Sequence, residues 1–157
     1  MKLIGNGGHA AVVKSFYRGD DPIVAIGDNR TRRKVVNDLV SSGWWTNGAA
    51  VHPSAIIAEQ VPIGVGTVIM AGVIVQAGAK IGQHVILNTG CTVDHHCVIG
   101  DYAHIAPGAH LCGGVEVGEG ALIGVGVGIE PNVKIPAWSV VKREKYIVES
   151  VSDHAGS

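Results

Sequence analysis

From Val51 onward an aliphatic residue returns at every sixth position without an insertion: Val51, Ile57, Ile63, Ile69, Val75, Ile81, Leu87, Val93, Ile99, Ile105, Leu111, Val117, Ile123, Ile129 and Ile135. The fifth place of each block is small or β-branched, from Ala55 and Val61 through Cys91 and Cys97 to Val133 and Ser139. The second place is often glycine, as at Gly64, Gly82, Gly100, Gly118 and Gly124. A short unbroken period of this kind is the mark of a solenoid. Alternation within each block favours short strands, and the turn residues between them force a corner every six residues. Three blocks close one triangular coil of about 18 residues. Stacked at about 4.8 Å, five coils make a prism about 24 Å tall. The expected architecture is a parallel β-helix over residues 51–141, with all fifteen block-opening aliphatics buried. Each coil would pair only with its neighbours, so stability would grow nearly additively along the stack.

The fifty residues before the prism read as a small α/β unit. A short strand at Met1–Ile4 leads into Gly5-Asn6-Gly7-Gly8-His9, and Ala10–Tyr17 can make two helical turns. A glycine-rich turn between strand and helix presents backbone N–H groups to an anion. The stretch fits the dinucleotide fingerprint only loosely, and a dinucleotide domain needs two βαβ halves, more than 50 residues provide. A nucleotide-sugar phosphate contact at Gly7, Gly8 and His9 and a purely structural turn are the two readings that remain. A second strand, Ile23–Ile26, ends in Gly27-Asp28-Asn29. The helix Arg30–Val40 follows, with Asn29 or Thr31 able to cap it. Arg30, Arg32, Arg33 and Lys34 read as a solvated face, and the Trp44-Trp45 pair is expected to pack this unit against the base of the prism. Residues 142–157 form a C-terminal tail with a short apolar run, Tyr146-Ile147-Val148.

Among the eight histidines, His84, His95, His96, His104 and His110 fall inside the repeat. Bulky polar side chains cannot enter the aliphatic stack, so these project outward or sit at corners. The densest polar block is Val93-Asp94-His95-His96-Cys97. His95 holds the third place of its block, and Gly113 holds the same place one coil on. A histidine beside a backbone N–H that carries no side chain suits acyl transfer: the imidazole supplies a general base, and the N–H faces a developing oxyanion.

The hexads resemble those of the hexapeptide-repeat acyltransferases, whose coils wind a left-handed parallel β-helix. GNGGHA, IGDNRTRR, VHPSAII and the histidine block together resemble the bacterial nucleotide-amino-sugar N-acetyltransferases and sialic acid O-acetyltransferases. The resemblance implies a mainly β fold, a left-handed parallel β-helix preceded by a truncated Rossmann-like α/β subdomain (residues 1–50) that helps hold a nucleotide sugar. It implies acetyl-CoA as co-substrate, no metal, a nucleotide-linked or free amino sugar as acceptor, a homotrimer, and a role in polysaccharide biosynthesis. His95 matches the general base and Gly113 the glycine whose amide meets the thioester carbonyl. His104 matches a second active-site histidine near a subunit boundary that binds acceptor or thioester, and Gly124 and Val125 match a rim that contacts pantetheine. Where the family often has an acid after the base, this chain has His96, so Asp94 or a solvent contact is expected to orient the His95 ring. The family's extra strand before IGDN and its late glycine-rich coil are both lacking here.

Composition narrows the alternatives. A formal net charge of -1 with no basic run argues against nucleic acid and anionic membrane surfaces. No apolar run reaches the length of a membrane span and the start lacks a signal-peptide pattern, so the expectation is a cytoplasmic protein. Cys91, Cys97 and Cys112 lack CxxC spacing and read as reduced, structural cysteines. A γ-carbonic-anhydrase-like zinc site would need paired His-x4-His spacing, which His95, His96, His104 and His110 do not have. Sugar O-acetylation and a non-catalytic β-helix scaffold remain the alternatives to N-acetylation.

Overall fold

The computed structural model of the protein describes residues 3–142. The apolar run Tyr146-Ile147-Val148 lies outside the described residues. Fifteen two-residue strands, from Ala50–Val51 to Val140–Val141, build the prism. Pairing is parallel throughout, with partners one coil apart: Val51 meets Ile69, Ile69 meets Leu87, Leu87 meets Ile105, Ile105 meets Ile123 and Ile123 meets Val141. The strands fall into three sheets. The first face has six strands and starts with Ala50–Val51, the second has five and starts with Ile56–Ile57, and the third has four and starts with Lys80–Ile81. An isolated bridge from Ile63 to Ile81 extends the third face downward. The fold is a left-handed parallel β-helix.

Twelve of the block-opening aliphatics, from Ile69 to Ile135, are buried, and Val141 extends the series by one more block. The first coil departs from expectation. Ile57 and Ile63 are only partly buried, and Val51 is 39% exposed. The reason is positional: the lowest coil has no coil beneath it, so its aliphatics are covered from one side alone.

The corners show what the period leaves unstated. The fourth residue of the block adopts left-handed φ in nearly every coil. Glycine takes the place at Gly66, Gly72, Gly78, Gly90, Gly108, Gly114, Gly120 and Gly126. Gln60, His84, His96, Tyr102, Asn132 and Trp138 take it elsewhere, with φ between 52° and 62°. From His84 upward, the N–H of each such residue donates to the third-place carbonyl of the coil below, as Gly114 does to His95 and Asn132 to Gly113. The second-place glycines answer a different need. A Cβ on Gly100 would lie 2.7 Å from the Glu119 N of the coil above.

The N-terminal unit is one parallel strand pair, β1 (Leu3–Ile4) with β2 (Ile23–Val24), and two helices, α1 (Gly8–Phe16) and α2 (Asn29–Ser41). It packs on the side of the prism, not its base. Ala10, Val13, Tyr17, Ile23 and Ala25 form one cluster with Ala50, Val68, Met70 and Ile86, which project outward from the first face. Trp44 and Trp45 are 38% and 69% exposed and flank an apolar groove between α2 and the prism, with Val36, Val40 and Val65. The Trp pair thus lines the seam between α2 and the prism, and the buried contact of the unit is with the outward row of aliphatics on the first face.

Two further expectations are corrected at α2. Asp28 caps it: the Thr31 N–H donates to Asp28 Oδ1 at 2.8 Å, and hydrogen bonding from Thr31, its hydroxyl first and its N–H second, holds that carboxyl below its usual range. Arg32 does not belong to a solvated face, being 1% exposed. Its guanidinium donates to the carbonyls of Ile26 (2.8 Å), His84 (2.9 Å) and Tyr102 (2.6 Å) and to Asn29 Oδ1 (2.8 Å). Asn29 Nδ2 in turn donates to the Gly120 carbonyl at 3.0 Å. His84, Tyr102 and Gly120 are successive fourth-place residues of one corner, so the helix is bolted to a column of backbone carbonyls. Arg30 and Arg33 do face outward, each over the Trp138 ring at 4.9 and 5.1 Å.

Candidate active site

The corner between the second and third faces carries Asp94, His95 and His96 on one coil and Cys112, Gly113 and Gly114 on the next, around an open cleft that Pro131 and Asn132 close from above. His95 leans upward. A Cβ on Gly113 would meet His95 Cε1 first, with Nε2 at 2.6 Å and Nδ1 at 3.0 Å, so the Cε1–Nε2 edge of the ring rests against the bare glycine. Among the described residues no group accepts from the Gly113 N–H. Its equivalent one coil down, the His95 N–H, is taken by Asp94 Oδ1 at 2.7 Å. Cys112, in the place of Asp94, offers no such acceptor. The cleft therefore presents an imidazole edge beside an unused backbone donor.

Asp94 makes no hydrogen bond to the His95 ring among the described residues; its Oδ1 accepts from the His95 backbone N–H. The ring's partner is His96, with Nδ1 to Nδ1 at 3.1 Å and the two planes at 78°. His96 turns toward its neighbour because left-handed φ at the fourth place aims its side chain back over the corner.

His104 lies elsewhere. It projects from the first face under the N-terminal unit and is 8% exposed. Its Nδ1 is 3.3 Å from the Gly27 carbonyl, and its Nε2 is 3.1 Å from Asn88 Nδ2. The amide reaches His9 Nε2 as well, at 3.2 Å, and the two imidazoles meet edge to face. The Thr89 N–H donates to Asn88 Oδ1, which fixes the amide with its NH2 toward the rings. This assigns His104 as neutral with its proton on Nδ1. Burial first, then the Arg32 charge and His9, push its pKa down to about 4. Burial and then Arg32 lower His9 too. His84, also beneath this interface, is pushed down to about 4 by burial and then Arg32, and its Nδ1 has no hydrogen-bond partner among the described residues. Gly7 caps α1 and, like Gly8, has open space around it. Gly124 and Val125 sit at a third place, the corner between the first and second faces, where Val125 is 60% exposed.

One chain thus brings Asp94, His95, His96 and Gly113 together, and separately His9 and His104. The first face lies opposite the corner that holds His95, so the prism body separates the two groups. Asn29, Arg32 and Asn88 escaped the sequence reading. Asn88 carried a signal, a carboxamide at the second place of a block where glycine recurs. The buried Arg32 carried none, because its partners are backbone carbonyls. All three cysteines are free, and burial pushes the Cys91 thiol up to about 12. Among the described residues no three His, Cys, Asp or Glu side chains converge as metal ligands, and no helix is long and apolar enough to cross a membrane.

The sequence matches a GlmU-like C-terminal hexapeptide family over residues 23–110 and a bacterial transferase hexapeptide (six repeats) family over residues 96–131. No curated protein sequence matches significantly. Among solved structures, the chain is 35% identical to PerB from Caulobacter crescentus, seen in complex with CoA and GDP-perosamine. The match covers 89% of this chain and 84% of that one with a TM-score of 0.84. It is 29% identical to the acetyltransferase domain of PglB from Neisseria gonorrhoeae FA1090 in complex with acetyl coenzyme A, over 94% of this chain and 89% of that one, with a TM-score of 0.85. WeeI from Acinetobacter baumannii AYE matches at 28% identity over 80% of this chain and 62% of its own, with a TM-score of 0.73. Repeat, fold and similarity along nearly the whole chain agree: this protein belongs to the hexapeptide-repeat acyltransferases, among their sugar acetyltransferases.

Proposed function

We propose that the protein transfers an acetyl group from acetyl-CoA to the amine of a nucleotide-linked sugar, by direct attack and with His95 as general base. The observation that carries this reading is the Cε1–Nε2 edge of His95 resting against Gly113, whose N–H has no partner among the described residues. The amine nitrogen attacks the thioester carbonyl. Its proton passes to His95 Nε2 while the Gly113 N–H stabilises the oxyanion. The C–S bond then breaks, and the CoA thiolate takes the proton from His95. Holding both reactants in line supplies much of the rate. The nucleotide amino sugar bound by PerB and the acetyl-CoA bound by the PglB domain support this choice of substrates.

The His9–His104–Asn88 group would hold the acceptor as neutral hydrogen-bonding partners, with Gly7 and Gly8 near its phosphates. Because that group and His95 lie on opposite sides of one prism, a neighbouring copy must complete the site. A homotrimer does so, with Gly124 and Val125 lining the pantetheine path. Acetyl-CoA and nucleotide sugars meet in the cytoplasm, where the product would feed polysaccharide assembly. The test is CoA thiol release by the purified protein with a panel of nucleotide amino sugars. His95→Ala should lower kcat by roughly 10²- to 10⁴-fold and leave CoA affinity nearly unchanged. His104→Ala should raise KM more than it lowers kcat. Undiminished turnover by His95→Ala, or full activity from a stable monomer in light scattering, refutes the reading.

A further inference from the structure

The reactive imidazole needs its Nε2 lone pair bare, which requires the ring proton on Nδ1. Among the described residues no carboxylate hydrogen-bonds that nitrogen; Asp94 Oδ1 accepts instead from the backbone N–H of His95. The atom that does reach it is His96 Nδ1, at 3.1 Å. We infer that His96 is the positioning residue for His95: its Nδ1 accepts from His95 Nδ1–H and so holds the His95 ring in the tautomer that leaves Nε2 free beneath Gly113.

The geometry of two glycines sets this arrangement. A Cβ on Gly113, one coil above, would strike the Cε1–Nε2 edge of His95. A Cβ on Gly78, one coil below, would lie 2.8 Å from His96 Cδ2 and 3.0 Å from its Nε2. His95 therefore leans up and His96 leans down, and only their Nδ1 atoms face each other. The same geometry decides which ring is the base. The Nε2 of His96 rests over Gly78, away from the Gly113 N–H. His96 keeps its own proton on Nε2 throughout. When His95 accepts the substrate proton, its Nδ1–H stays bonded to His96, and that proton does not move. A neutral acceptor in this place steers the ring without the opposing charge a carboxylate would add.

This inference rests on His95 being the base, and the test separates the two claims. His96→Gln keeps an oxygen that accepts from His95 Nδ1–H, whereas His96→Leu has none. Both place a side chain at the same left-handed φ, so their shared backbone strain cancels in the comparison. Nitrogen-15 spectra of the histidine rings in the intact protein near neutral pH, assigned with His95→Ala, read the tautomer directly. His95 should be protonated on Nδ1 in the parent and in His96→Gln, and should shift toward Nε2 in His96→Leu. In kinetics, His96→Leu should lose about 10- to 100-fold in kcat with KM for acetyl-CoA unchanged, the loss expected of one hydrogen bond to a charged group. His96→Gln should recover most of that loss. A parent His95 protonated on Nε2, or Leu and Gln variants alike in tautomer and rate, overturns the inference. If no variant and no parent turns over acetyl-CoA, the enzymatic reading fails, and the spectra still decide the role of His96.

Discussion

Replacing Arg32 by methionine should undock the N-terminal unit while the prism stays folded. Methionine keeps the apolar bulk of the stem and deletes every donor. Four acceptors then lose their partner within a buried interface: the carbonyls of Ile26, His84 and Tyr102, and Asn29 Oδ1. Each orphaned acceptor costs about 1 kcal/mol or more. Against this stands relief from burying a charge, which in the parent lowers the Arg32 pKa to about 10 and leaves it protonated at neutral pH. Four orphaned acceptors, offset in part by that relief, leave a net loss of about 3 kcal/mol. The loss falls on the docking interface, because the coils pair with one another through their own backbones. Urea unfolding followed both by tryptophan fluorescence and by far-ultraviolet dichroism separates the events. Trp44, Trp45 and Trp138 all border α2 or its corner, so fluorescence should report an early transition in Arg32→Met that leaves the β signal intact. A first transition within about 1 kcal/mol of the parent, or fluorescence and dichroism shifting together, refutes the bolt.

Three further outcomes follow from the same geometry. Gly113→Ala should abolish most acetyl transfer, because its Cβ would lie 2.6 Å from His95 Nε2, while circular dichroism shows the coils still formed; turnover within about tenfold of the parent would contradict this. Ile99→Asp should unfold the prism, since it puts an unpaired carboxylate where the parent is 2% exposed, at a cost above about 4 kcal/mol; a soluble variant with a parental melting temperature would contradict it. Acid should weaken the docked state. His84 and His104 have folded pKa values near 4, below the ordinary 6.5, so the unfolded chain binds protons first as pH falls. Stability from these two groups is intact above about pH 6.5, declines to about pH 4 and changes no further below that, and equal melting temperatures at pH 5 and pH 7.5 would disprove it.

The hexad register was legible because burial and period reinforce each other: an aliphatic every sixth residue can be satisfied only by one winding, and Ile69 to Ile135 are buried as the count requires. The exposure of Val51 was not legible in the count, since the period treats the lowest coil like the rest while physics covers it from one side only. The juxtaposition of His95 and Gly113 followed from the 18-residue spacing. The partner of the His95 ring did not, because the direction of the His96 side chain depends on left-handed φ, and the sequence marks that place by glycine in only some coils. Arg32 looked like its neighbours Arg30 and Arg33. What distinguishes it is a column of backbone carbonyls, which every sequence has and none displays.

The fourth-place residues obey a spacing rule with an evolutionary consequence. His84 lies over Gly66, His96 over Gly78, Asn132 over Gly114 and Trp138 over Gly120, each bulky group above a glycine 18 residues earlier. Tyr102 alone sits above another ring, stacked on His84 at 5.3 Å. Unless it can stack on a ring as Tyr102 does, a new functional group at a corner needs a vacancy one coil below before it can appear. The edge formed by Gly72, Gly90, Gly108 and Gly126 already offers such vacancies in series, and nothing lies within 4 Å of a Cβ built on Gly90, Gly108 or Gly126. Asparagine at Gly108 would meet only the penalty of left-handed φ, about 1–2 kcal/mol, leaving every ladder bond in place. Below the Gly124–Val125 rim, that edge is a reserve of single-substitution positions from which new recognition could be recruited without disturbing the register.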